Sequence, residues 1–186
     1  MEAKQDTPAE KAKSPKGNAY DWLESLVTAI IACIIIFLFF FRVVNVDGTS
    51  MVPTLKDSDK IVISRLAGNY KYGDIVVLTK LAFSDESIVK RVIATEGQTI
   101  DIDFDNGVVT VDGKVLDEPY IADKTHKEMD FRGPTTVPEG CIFCMGDNRN
   151  ASTDSRRSTI GMIDTRCVLG RVVLRLWPLD KLGTVK

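Results

Sequence analysis

Ser50 and Lys90 are the two side chains whose types and surroundings could do covalent chemistry together. A serine hydroxyl is a poor nucleophile until a neighbouring base takes its proton. The chain has a single histidine, His126, with no serine or aspartate motif around it, so the base must be sought elsewhere. Lysine can serve if its amine is uncharged. At an ordinary pKa of about 10.4 only about one lysine in two thousand is neutral at pH 7, and apolar burial lowers that pKa by penalising the ammonium. Moving it to about 8 takes ~3 kcal/mol of differential environment. Lys90 has a suitable setting, with Ile88 and Val89 before it and Val92 and Ile93 just beyond Arg91. Strand alternation sends Lys90 and Arg91 to opposite faces, so only one of these cations is expected in a shared apolar core. Arg91 stays charged and suits an ion pair on the other face. Taken singly, Ser50 also reads as a turn serine and Lys90 as an exposed strand lysine; only the fold can bring them together.

A third segment bears on the same chemistry. Gly146-Asp147-Asn148-Arg149-Asn150-Ala151-Ser152-Thr153-Asp154-Ser155-Arg156 is a dense polar loop directly after the apolar run Cys141–Met145. Paired acids and arginines with interleaved hydroxyls suit a hydrogen-bonded scaffold beside a site, although such loops are more commonly solvated turns.

The elements that must position these residues follow from hydropathy. Residues 1–21 mix lysines, acids, prolines and glycine, as a flexible polar tail does. No charged residue occurs from Leu26 to Phe41, and the run on to Val44 is about 19 positions long. At ~1.5 Å rise per residue that approaches the ~30 Å hydrocarbon thickness, so residues 22–44 are predicted to form a transmembrane helix. The run is long and ends Phe39-Phe40-Phe41-Arg42 rather than in a small-x-small exit, which favours a retained span over a cleaved signal peptide. The lysines of the tail bias the N-terminus only weakly towards the cytoplasm.

Beyond the span the pattern is β. Lys60–Ser64, Asp74–Leu78, Ser87–Ala94 and Arg171–Leu174 are short β-branched runs bounded by glycine or polar turns. Ile100, Ile102 and Phe104 alternate with acids, Asn106-Gly107 tolerates positive φ, and Val109 and Val111 alternate back, which predicts a hairpin. Leu116–Pro138 is expected to be coil. The fold class is therefore mainly β with one N-terminal transmembrane helix.

Composition excludes several alternatives. The 186 residues carry a net charge of −2 and a pI near 5.5, so there is no electrostatic footprint for nucleic acid. One histidine rules out a two-histidine metal motif, and no metal or cofactor is expected. Cys33, Cys141, Cys144 and Cys167 are expected to be buried free thiols, since Cys141 and Cys144 would point to opposite faces of a strand and suit neither a relaxed disulfide nor a zinc site.

Four segments in order, Gly48–Leu55, Tyr72–Val77, Lys90–Ile93 and Gly146–Arg156, closely resemble the type I signal peptidases of bacteria. These are membrane-anchored serine proteases that remove signal peptides from exported proteins. The resemblance implies that Ser50 is the nucleophile, that Lys90 is the neutral general base, and that the Ser50 N–H donates to the oxyanion. It further implies that Ser152 orients the Lys90 amine by a hydrogen bond, and that Asp154 with Arg156 and Asp147 with Arg91 hold the supporting loop. Val46, Met51, Leu55, Ile88 and Val89 would wall shallow pockets for small side chains, in signal-peptide-bearing preproteins cut after small-x-small motifs. The implied architecture is a catalytic β domain of residues 45–96 and 138–186 with an inserted β lobe over 97–137. That domain would be extracytoplasmic on a single-pass protein of the bacterial membrane and would touch membrane lipid. Two positions depart from the family pattern. Gly48 stands where some members have a serine as second oxyanion donor, and Asn150-Ala151 replaces the more usual Asp-Asn, a change expected to be tolerated.

Two rivals predict different outcomes. A self-cleaving Ser/Lys protease of the SOS-repressor type would need a DNA-binding front end and an Ala-Gly linker before Ser50, and this sequence has a span instead. A non-enzymatic, membrane-anchored β module that binds peptides at a strand edge would keep its activity without Ser50 or Lys90.

Overall fold

The computed structural model describes residues 15–66, 68–79 and 87–185. The chain divides into a helical unit ending at Phe39 and a β unit beginning at Phe40. Helix α1, Pro15–Phe40, is built largely of Leu, Ile, Ala and Phe. Its stretch Ala19–Phe40 has a mean hydropathy of 2.6 and is long and apolar enough to cross a membrane. Its most apolar 18-residue window is not buried by the described residues, and large apolar side chains from Trp22 through Ile30 and Ile34 to Leu38 are exposed. A helix with no polar stripe suits lipid rather than a globular core.

The helix stops short of the predicted 44. Phe41–Asn45 is strand β1, paired antiparallel with β2, Lys60–Ser64, in the register Val43 with Val62 and Val44 with Ile61. Apart from Arg42, the apolar run continues through this junction to Val44. What changes is the partner: Val43 and Val44 pair with the β-branched strand β2, and Val44 packs against its buried cluster while Val43 stays exposed.

The remaining strands are β3 (Ile75–Leu78), β4 (Ile88–Thr95), β5 (Thr99–Asp103), β6 (Val108–Val111), β7 (Lys114–Val115), β8 (Thr135–Thr136), β9 (Cys141–Met145), β10 (Ile163–Asp164) and β11 (Val168–Trp177). A seven-stranded sheet has the order β1-β2-β11-β3-β4-β9-β10, and a four-stranded sheet the order β7-β6-β5-β8. Every pairing is antiparallel. Strand β11 extends well beyond the predicted Arg171–Leu174, because register shifts at Val172/Leu174 and Arg175/Trp177 break the period-2 pattern that marks a strand in sequence.

The small sheet is inserted between β4 and β9 and shares its core with the large one. Ile100, Ile102, Val109 and Val111 pack in one buried cluster with Ile93 and Ala94 of β4 and with Phe143 and Met145 of β9. Phe131 bridges them, edge-on to Phe143 at 5.7 Å and to Phe104 at 6.1 Å. The hairpin turn is longer than a two-residue Asn-Gly connection: the Asp103 carboxylate accepts from the Asn106 backbone N–H at 3.0 Å and side-chain amide at 2.7 Å, and only Gly107 has positive φ. A Cβ on Gly107 would lie 2.5 Å from Lys124 Cβ, so glycine is needed there for space as well as for φ.

Candidate active site

Ser50 lies in the loop between β1 and β2. That loop is pinned at its base by paired bonds, Val46 N–H to Asp59 O and Ser58 N–H to Val46 O, both 2.8 Å. Gly48, at φ +86, donates its N–H to Asp57 Oδ1 at 2.7 Å. Met51 and Leu55 form a single turn closed by Leu55 N–H to Met51 O at 2.9 Å, and both side chains are sealed in the core. Their burial leaves Ser50 partly exposed at the top of the turn. From the far side Asn148 clamps the same backbone, donating its N–H to Ser50 O at 3.0 Å and its side-chain amide to Thr49 O at 3.1 Å.

Lys90 sits in the middle of β4, opposite Val76 of β3. Its side chain is 3% exposed. The Nζ donates to Ser50 Oγ at 2.8 Å and to Val89 O at 3.0 Å, so two residues far apart in sequence meet at hydrogen-bond distance. Burial lowers the Lys90 pKa from 10.5 to about 8, against the opposing pull of Asp154, Cys144 and Asp147, each of which favours the ammonium. Each carboxylate is held in a bidentate pair with a buried arginine. Asp147 receives Arg91 Nε at 2.8 Å and Nη2 at 2.7 Å, and Asp154 receives Arg156 Nε at 2.8 Å and Nη2 at 2.9 Å. These guanidinium charges offset the carboxylates and allow desolvation to dominate at Lys90.

Arg91, which alternation places on the opposite face of β4 from Lys90, is buried as well, in an ion pair with Asp147. Besides Asp147 it bonds Gly73 O at 2.9 Å, and its guanidinium lies 3.9 Å from the centre of the Tyr120 ring.

Ser152 departs from the sequence expectation. It is 1% exposed and stands beside the dyad, since a Cβ on Gly146 would lie 2.2 Å from Ser152 Oγ and 2.5 Å from Ser50 O. Yet its Oγ makes no hydrogen bond, alone in this among the buried side-chain polar atoms of the described residues. The Lys90 amine points its bonds at Ser50 and Val89 instead.

The five residues expected to wall a pocket do not lie on one surface. Val46, Met51, Leu55 and Val89 are core, packed with Ile61, Ile63, Ile75 and Val77. Ile88, the next residue along β4, faces the other way and packs with Val76 and Leu78. An open cleft of about 670 Å³ includes Arg91, Tyr72 and Tyr120 but neither Ser50 nor Lys90.

Several residues that sequence reasoning passed over complete the surroundings. Thr54 Oγ1 donates to Asp147 Oδ2, and Gly146 N–H donates to Asp154 Oδ2 at 3.0 Å. Arg149 is 1% exposed and bidentate to Glu118. Its place in the polar loop was a signal; its partner, in a stretch read as coil, was not. All four cysteines are free, but only Cys144 is buried, its thiol pKa pushed up by burial. Cys33 is exposed on α1. Among the described residues no three His, Cys, Asp or Glu side chains come together as a metal site would need.

The arrangement can activate a hydroxyl with an amine and support the negative charge that follows. Comparison with known proteins gives the family. The sequence matches the family described as signal peptidase, peptidase S26, over residues 19–177. It is 33% identical to the signal peptidase I of Bacillus licheniformis over 187 residues, 93% of this chain and 96% of that one. It is also 33% identical to signal peptidase I T of Bacillus subtilis, with full coverage of both chains. A crystal structure of a signal peptidase I from Enterococcus faecalis V583 is 26% identical, covers 56% of this chain and 97% of that one, and superposes with a TM-score of 0.46. On the span of the family match and the near-complete coverage of these relatives, the chain belongs to the signal peptidase family, peptidase S26.

Proposed function

We propose that this chain is a membrane-bound serine endopeptidase that cleaves N-terminal signal peptides from exported preproteins after small-x-small motifs. The observation that carries the reading is the 2.8 Å approach of a desolvated Lys90 amine to Ser50 Oγ. Neutral Lys90 takes the Ser50 proton as Oγ attacks the scissile carbonyl. The Ser50 N–H, which has no acceptor among the described residues, receives the oxyanion. Lys90 then protonates the leaving amine, and it deprotonates the water that releases the acyl group. Gly48 N–H is committed to Asp57, which leaves the Ser50 N–H as the main donor.

Ser152 is a positioning residue in this reading, and the Asp147–Arg91 and Asp154–Arg156 pairs fix the loop that clamps Ser50. Val46, Met51, Leu55 and Val89 act here as core packing behind the two catalytic side chains rather than as walls open to substrate, and Ile88 lies on the other face of β4. Residues 45–96 and 138–186 act as the catalytic domain, and 97–137 as an inserted lobe. Helix α1 anchors the chain by a single pass, with the N-terminus in the cytoplasm and the β unit outside, where preproteins emerge and membrane lipid lies close.

The test is cleavage of a preprotein bearing an alanine-x-alanine site by the detergent-solubilised full chain. Parental protein should release the signal peptide, and Ser50→Ala and Lys90→Ala should each abolish release while remaining folded. Retained cleavage in either variant removes the dyad.

A further inference from the structure

Resting on the Ser50/Lys90 assignment above, we propose that Glu118 and Tyr120, in the inserted segment, are positioning residues that latch the Gly146–Arg156 loop and so hold Ser50 against Lys90.

The latch is built on the Tyr120 ring, whose centre is 3.9 Å from the Arg91 guanidinium and 5.8 Å from that of Arg149. Glu118 closes it, accepting from Arg149 Nη2 at 2.6 Å and Nη1 at 2.9 Å, and from the Tyr120 hydroxyl at 3.0 Å. Tyr72 braces the outside by donating to Asp117 O at 2.7 Å. On the inner side, Arg149 Nε donates to Gly146 O at 3.2 Å, and the Arg149 carbonyl accepts from Arg156 Nη2 at 2.6 Å. The next link is Asn148, whose N–H holds Ser50 O. Glu118 is thus joined to the backbone of Ser50 through a short chain of hydrogen bonds, and Tyr120 covers the arginine that neutralises Asp147.

Loosening the latch has a signed consequence. Lys90 is faced by Ser50 from the loop before β2, by Asp147 and Asp154 from the loop after β9, and by Cys144 from β9; β3 opposes it with uncharged Val76. Water admitted beside the amine relieves desolvation, and an Asp147 less fully paired by Arg91 favours the ammonium. Both effects move the amine towards an ordinary lysine.

The experiment compares the full-length chain in detergent with Glu118→Gln and Tyr120→Leu, measuring kcat, KM and the pH dependence of kcat/KM on an alanine-x-alanine preprotein, and folding by circular dichroism. Both variants should fold, keep KM within about twofold, lose about tenfold or more in kcat at pH 7.5, and shift the acid limb upward by about half a pH unit or more. Parental kcat and pH profile in both variants would overturn the latch, as would a rise in KM alone, which would make these residues substrate contacts. Failure of both to fold would also overturn it, by assigning them to stability alone. Ser50→Ala and Lys90→Ala run alongside: if either still cleaves, the dyad itself is wrong, whereas inactive dyad variants beside parental Glu118→Gln and Tyr120→Leu remove only the latch.

Discussion

The amine of Lys90 and the hydroxyl of Ser50 are 2.8 Å apart, and the burial that joins them also brings the lysine pKa down to about 8. A base must be unprotonated in the free enzyme to act, so kcat/KM should rise with pH along a limb centred near 8 and level off above it. At pH 7 roughly one molecule in ten would carry the active form. An acid limb near 10 would mean that the amine is solvated, and a flat profile from pH 6 to 10 would mean that lysine is not the base.

The same shift makes a prediction about stability. Because the folded-state pKa of Lys90 lies below its unfolded value of 10.5, the unfolded chain binds more protons between about pH 8 and 10.5. Stability should therefore rise with pH across that window. Below it, the buried amine costs up to about 3 kcal/mol relative to a solvated one. Lys90→Met should stabilise the β unit at pH 7 by roughly 1–3 kcal/mol while abolishing cleavage, with the gain gone by about pH 11. Denaturant unfolding of both proteins at pH 7 and pH 10.5 measures it, and equal stabilities at pH 7 would contradict the buried ammonium.

Ser152 separates activity from stability in another way. Its buried hydroxyl has no partner among the described residues, so Ser152→Ala removes an unsatisfied group and should leave stability unchanged or raise it by about 1 kcal/mol. If the hydroxyl engages Lys90 during turnover, the same change should lower kcat by about tenfold or more at constant KM. A parental kcat in this variant would show that the hydroxyl takes no part.

What the sequence reveals here depends on how locally each feature is determined. Strand β2 is legible because Ile61, Val62 and Ile63 make a β-branched run, and β5 and β6 because their alternation matches one buried face. Strand β1 is hidden because its residues continue the hydropathy of the helix, and only its pairing with β2 sets it apart. The polar loop is readable as a site because its charged residues cluster within eleven positions. Glu118 and Tyr120 are not, since they belong to an irregular stretch and gain meaning only through contacts some thirty positions away. Arg91 lies between these cases: alternation correctly separates it from Lys90, but alternation alone says nothing of Asp147, which lets a second cation enter the interior.

Gly146 tests the geometry of the whole site at one position. A methyl group there would meet Ser152 Oγ at 2.2 Å, Ser152 Cβ at 2.5 Å and the Ser50 carbonyl at 2.5 Å. None of these is the free end of a flexible chain: one partner is the backbone of Ser50 itself, and Ser152 is enclosed. Gly146→Ala should therefore push the two walls of the site apart, costing about 1–3 kcal/mol of stability and about a hundredfold or more in kcat. Adding Ser152→Ala relieves the shortest contact but not the one to Ser50, so the double variant should regain some stability and little activity. Thermal unfolding and preprotein cleavage of the single and double variants measure both quantities. Full recovery of cleavage in the double variant would mean that the spacing between Gly146 and Ser50 does not set the alignment of hydroxyl and amine.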